Sequence, residues 1–157
     1  VCNITADVVP FYHCDGLSPV STMKKEWILS PESWFHHHKD TLKEFFVKPV
    51  SLDSLISKYG TPDLIKIDVE GAEYEVICSL SQKVQCICFE WQAGVNEPIK
   101  QCVHKLSELG FTEFAIQYGD KYAYRPSVYD YTADNLLDIV QLIVKSDSVW
   151  GGMIWAR

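Results

Sequence analysis

Basic residues are scarce in this chain and long apolar runs are missing from it. Lysine and arginine number 14 against 21 aspartates and glutamates, a formal net charge of −7 over 157 residues. A protein whose main partner is a phosphate backbone carries a basic footprint, so nucleic acid is excluded as the principal partner. No stretch approaches the ~20 apolar residues that a membrane-crossing helix needs, which excludes a membrane span and points to a cytoplasmic protein. There is no Gly-x-Ser-x-Gly elbow, no His-Glu-x-x-His pair and no Cys-x-x-Cys spacing, so three familiar sets of catalytic motifs are absent. No two of the eight glycines are separated by a single intervening residue, and a Gly-x-Gly nucleotide turn is therefore lacking too.

What remains is an ordinary globular composition, 47% hydrophobic and 22% charged. The length suits a single α/β domain over residues 1–157, able to bury roughly 68–70% of the surface its unfolded chain exposes. Six cysteines are present: Cys2, Cys14, Cys78, Cys86, Cys88 and Cys102. The chain is not small and its first residues show no secretory pattern, so these are read as reduced core thiols rather than a disulfide framework. Asn3-Ile4-Thr5 forms a glycosylation sequon that this reading treats as chance.

Periodicity divides the chain into alternating strands and helices. Residues 1–14 are rich in β-branched and aromatic side chains and supply one or two strands. Residues 15–29, with Gly16 and Pro19, read as a loop. Ser30 and Pro31 then open a predicted helix to about residue 46, with Phe35, Leu42 and Phe46 on one face. His36, His37 and His38 point about 100° apart on such a helix, so they form a solvated face and not a metal grip. A short helix follows in "SLDSLISKYG", capped by Ser51 and ended by Gly60. "DLIKIDV" is a buried strand, broken only by Lys66, and from Gly71 a helix runs to about residue 80. "VQCICFEW" is a strand and "NEPIKQCVHKLSELG" a helix with Asn96 as cap. "FTEFAIQY" is a strand, "GD" a turn and "KYAYR" its antiparallel return. Residues 133–145 form a last helix and "VWGGMIWAR" a last strand. This alternation predicts an α/β fold on a largely parallel sheet.

In open parallel sheets, ligands bind beyond the carboxyl ends of the strands. Two such ends carry acids here: Asp68 with Glu70 after "LIKI", and Glu90 after "CICF". Two readings compete for "IDVEGAE". In the structural one, Glu70 and Glu73 complement the helix dipole, Asp68 accepts backbone N–H bonds and Gly71 lets the chain bend. In the chemical one, Asp68, Glu70 and Glu90 face a common crevice. Glu90, between Phe89 and Trp91, is the harder to explain structurally, because an acid there is partly desolvated. His13 and His104 have no evident partner. Tyr122, Tyr124 and Arg125 are candidates for a substrate mouth.

The stretch "PVSLDSLISKYGTPDLIKIDVEGAEYEVICSL" resembles the FkbM-type family of S-adenosylmethionine-dependent methyltransferases, and "CICFEW", "LSELGFTEFAIQYGDKY" and "WGGMIWAR" extend the likeness over most of the chain. The resemblance implies a Rossmann-like sheet with "DLIKID" as its fourth strand, "CICFE" as its fifth and an antiparallel C-terminal edge. It implies S-adenosylmethionine as cofactor and a hydroxyl on a small molecule, sugar or glycan as methyl acceptor. Asp68 and Glu90 become the candidate catalytic residues, and Asp68, Glu70 and Gly71 the candidate cofactor residues. No metal ligand is assigned, a divalent ion held by a pair of the acids being the lesser reading. Members of the family carry a glycine-rich turn after the first strand, which this sequence lacks. The expectation is therefore the C-terminal part of a methyltransferase domain with a truncated sheet, whose exposed edge promotes self-association. The alternative is a non-catalytic relative that works through protein or glycan binding.

Overall fold

The computed structural model of the chain describes residues 6–15, 21–31, 33, 35–92, 96–119, 125–144 and 151–157. The sequon, Cys2, Tyr122, Tyr124 and the predicted Gly119-Asp120 turn with its return strand lie wholly or partly outside these residues. In chain order the elements are β1 (Val9–Cys14), β2 (Ser21–Thr22), α1 (Lys25–Leu29), a 3-10 helix (His36–Thr41) and β3 (Leu42–Val47). Then come α2 (Leu52–Tyr59), β4 (Ile65–Ile67), α3 (Glu73–Cys78), β5 (Ile87–Gln92), α4 (Asn96–Glu108), β6 (Phe114–Tyr118), α5 (Ala133–Val144) and β7 (Gly151–Ala156).

These strands form two sheets, one with order β2-β1-β3 and one with order β4-β5-β7-β6. The first is antiparallel throughout. In the second, β4 and β5 pair in parallel while β7 runs against both β5 and β6. The expectation of a mostly parallel sheet with an antiparallel edge is corrected here. Among the described residues only the β4–β5 pairing is parallel; β6 and β7 do form an antiparallel edge, but with β7 inside the sheet and β6 outermost. Period-two alternation marks a strand without stating its direction or its neighbour, so sequence pattern alone could not place β7.

The interior strands are buried on both faces, as their apolar runs require. Ile87, Phe89 and Trp91 join Ile154 and Ala156 in one cluster with α3, α4 and α5, through residues such as Ile77, Val103, Leu106 and Leu136. Cys86 and Cys88 alternate to the other face, with Ala115, Met153 and Trp155. Cys14, Cys78, Cys86, Cys88 and Cys102 are unpaired. Burial, reinforced by Cys86, pushes the Cys88 thiol up to about 12, so it stays protonated and unreactive at neutral pH.

The predicted helix over 31–46 does not form. Its second half is β3, which pairs with β1 along its whole length, from Val9 opposite Val47 to Cys14 opposite Leu42. Leu42 and Phe46 satisfy a helical spacing, but Phe45, Phe46 and Val47 also favour a strand, and cross-strand pairing decides between them. The histidines end up in the 3-10 turn. The predicted loop over 15–29 is likewise corrected: it contains β2 and α1, and Ile28 of α1 is fully buried with Tyr12 and Cys14. The predicted α2 is present as expected, with the Ser51 hydroxyl accepting the Ser54 N–H. Among the described residues no helix is long and apolar enough to cross a membrane.

Candidate functional site

The turn between β4 and α3 is built from two consecutive left-handed residues, Glu70 at φ 53° and Gly71 at φ 94°. Glycine adopts this conformation freely, whereas a residue with a side chain does so at a cost. Glu70 is the one non-glycine with positive φ among the described residues, and such residues gather where the surroundings over-determine them. Those surroundings are visible. Thr22, fully buried in β2, donates its hydroxyl to the Glu70 carbonyl at 2.7 Å and accepts the Lys24 N–H at 2.9 Å. A Cβ on Gly71 would stand 2.8 Å from Trp27 Cδ1, so the indole of α1 lies directly on that glycine.

The acids of this turn divide into two jobs. Glu73, only 7% exposed, turns back and accepts the N–H groups of Gly71 at 3.1 Å and Val69 at 3.3 Å. It is the structural acid that satisfies the turn. Asp68, Glu70 and Glu90 instead converge, each offering a carboxylate oxygen such that all three lie within 4.8 Å of one another. The structural reading of "IDVEGAE" is thus met by Glu73 and Gly71, while Asp68 is bonded by Lys66 and, among the described residues, not by backbone N–H groups. Of the three acids expected to face a common crevice, Glu90 alone lines the adjoining cavity. Lys66 donates to Asp68 at 2.5 Å, and that bond foremost holds its ammonium above the usual lysine range against the opposing effect of burial. Three carboxylates this close favour a cation among them. The oxygens are also the hard donors a divalent ion takes.

Beside this trio lies a cavity of about 300 Å³, lined among others by Lys24, Trp27, Gly71, Phe89, Glu90 and Ile99. Glu90 belongs to both and Gly71 of the turn also lines the cavity, so the acid cluster and the cavity share a wall. Residues from both described sheets meet here: Lys24 and Trp27 follow β2, and Glu90 lies within β5, two residues before its end and not at the strand end expected from sequence. Reading 15–29 as a loop hid Thr22, Lys24 and Trp27 from sequence reasoning. A threonine followed by the helix-forming run "KKEWIL" was the signal available.

Burial raises the Glu73 carboxyl above its ordinary value, with the backbone N–H groups opposing the shift. A raised folded pKa favours the protonated form. Its contribution to stability is therefore full below the unfolded carboxyl value of ~4.3 and is lost as pH rises through the folded value. Urea midpoints of the native protein and Glu73→Gln, taken from pH 4 to 7, are expected to diverge in the variant's favour as pH rises. Divergence in the native protein's favour would show that the two N–H bonds outweigh burial.

An α/β fold with acids at or near the carboxyl ends of its parallel pair, beside a cavity, is a layout in which small molecules bind. A Methyltransferase FkbM domain model matches residues 6–126, and the chain belongs to that methyltransferase family. No curated protein and no solved structure matches the chain.

Proposed function

We propose that this chain carries the acceptor side of an S-adenosylmethionine-dependent O-methyltransferase whose acceptor is a hydroxyl of a small molecule, sugar or glycan. The observation that supports this most is the carboxylate trio of Asp68, Glu70 and Glu90, with oxygens within 4.8 Å, sharing Glu90 with the adjoining cavity. The trio fits the positive charge of a sulfonium, and Asp68 and Glu70, with the Gly71 turn, are the residues that would face the cofactor. The cofactor supplies an activated methyl group.

Glu90 is the proposed base, because it alone of the trio lines the cavity. With the cofactor bound, its sulfonium would supply the methyl group and depart as a neutral thioether, and Glu90 would take the proton from the acceptor hydroxyl. Proton removal of this kind contributes roughly 10²–10⁴-fold. Glu73 and Thr22 bond the backbone of the β4–α3 turn that carries Asp68 and Glu70, and Glu90 is carried by β5.

Calorimetric titration of S-adenosylmethionine into the chain, repeated on Asp68→Asn, tests the proposal. Binding that weakens at least several-fold in the variant is the expected result. Equal heats in both proteins would remove Asp68 from the cofactor site, and no heat in either would leave the non-catalytic reading in its place.

A further inference from the structure

We infer that the cavity beside Glu90 is an acceptor subsite for a single hydroxylated ring that bears no negative charge, with Trp27 as its platform; this rests on the methyl-transfer reading above. The volume of about 300 Å³ is at the small end of ligand pockets, which suits one ring and not an extended chain. Three aromatic residues line it. Phe89 and Trp91 are each 1% exposed, and the Trp91 Nε1 donates to the Gln117 carbonyl at 3.3 Å, so both belong to the sealed core. Trp27 is half-buried and is the lining aromatic with surface left for a ligand. Its place is fixed on one side by Gly71 and by stacking on Phe35 at 4.8 Å between centroids. An immobilised indole offers an apolar face to a ring, and to a cation as well.

Charge then selects among rings. Glu26, Glu73 and Glu90 line the cavity, and Asp68, bonded by Lys66, and Glu70 lie beside Glu90, so the acids outnumber Lys24 and Lys66 even without Glu73, whose carboxyl pKa burial raises. The lining cation is Lys24, whose Nζ lies 2.8 Å from Glu75 Oε1. The other oxygen of Glu75 is buried with no hydrogen-bond partner among the described residues, so releasing Lys24 would strand that carboxylate further. Lys24 is committed to α3 and cannot serve as an anchor for an incoming anion. A carboxylated or phosphorylated ring would enter a site of its own sign, within the ~10 Å over which salt leaves charges unscreened. A neutral or amino-substituted ring meets no such cost.

Three pyranosides of one size separate these cases: a neutral methyl glucoside, its uronic acid and its 2-amino counterpart. Saturation-transfer NMR on the native chain is expected to show the neutral and amino compounds binding, and the uronic acid at least tenfold more weakly. Trp27→Ala should reduce binding of both binders at least tenfold, with Trp27→Phe restoring most of it. Glu26→Lys, at an exposed position, should recover several-fold of the uronic acid's affinity without touching the fold. Uronic acid binding equal to the glucoside's would overturn the inference, as would displacement of the glucoside by S-adenosylhomocysteine, which would make the cavity the cofactor's. Glucoside binding in a protein that takes up no S-adenosylhomocysteine would keep the subsite and sink the methyl-transfer reading instead.

Discussion

Glu90→Gln is expected to lower kcat for methyl transfer by roughly 10²–10⁴-fold, the share a positioned base contributes, while cofactor affinity stays within a factor of a few. The substitution keeps the shape and size of the side chain and removes only its capacity to take a proton. The backbone at this position is held independently, because Glu90 lies in register with Met153 in the β5–β7 ladder. A loss confined to kcat is the signature of an interaction made in the transition state, whereas a loss in KM alone would mark Glu90 as a binding group. Transfer of labelled methyl to an acceptor, with calorimetry of the cofactor alongside, separates the two. Asp68→Asn should behave in the opposite manner, weakening the cofactor more than it slows the step. Unchanged kcat in Glu90→Gln would take the base away from this residue and return the trio to a purely electrostatic role.

The largest expected effect on stability falls on a residue with no side chain. A Cβ on Gly152 would stand 2.0 Å from the Gln117 carbonyl oxygen, 2.9 Å from its carbon and 3.0 Å from the Gly119 nitrogen. All three are backbone atoms of the neighbouring strand and the turn after it, so no rotamer change relieves the clash. Gly152 pairs with Tyr118 on one side and Trp91 on the other, and the ladder must open on one of them. Gly152→Ala should therefore cost roughly 3 kcal/mol or more, the upper end of overpacking. For a chain of this size that corresponds to a Tm lower by about 6–12 °C. Gly60 is the control. Its φ of 91° strains any side chain, at roughly 1–3 kcal/mol, but a Cβ there meets nothing within 4 Å, whereas Gly152 has no positive φ and only the contact. A Tm loss at Gly152→Ala smaller than at Gly60→Ala would mean that the β6–β7 ladder opens to relieve the contact at little cost.

Both effects arise beside β7, Glu90 on its β5 side and Gly152 against β6, and the place of that strand separates what the chain spells out from what it conceals. "GGMIWA" is apolar throughout and "VQCICFEW" is so except at Gln85 and Glu90, because both faces of their strands are covered, and that much could be read from composition. Their order in the sheet could not, since an antiparallel strand inserted between β5 and β6 has the same alternation as one at the edge. The helix expected over 31–46 failed for a related reason. Leu42 and Phe46 fit a helical stripe, and only the partner strand Val9–Cys14, some thirty residues earlier, turned that segment into β3.

At the site, the local sequence put acids after β4 and in β5 and left open whether the two strands are neighbours, which the parallel pairing of β4 and β5 decided. A strand that ends on a carboxylate before a glycine turn carries that information in seven residues. It did not determine which of the acids is structural, because the choice depends on the path of the turn. That path is held by Thr22 and Trp27, more than forty residues upstream, through a buried hydroxyl and an indole that only the fold brings to Glu70 and Gly71. Strand and helix signals are properties of neighbours in sequence. The division of labour among Asp68, Glu70, Glu73 and Glu90 is a property of neighbours in space.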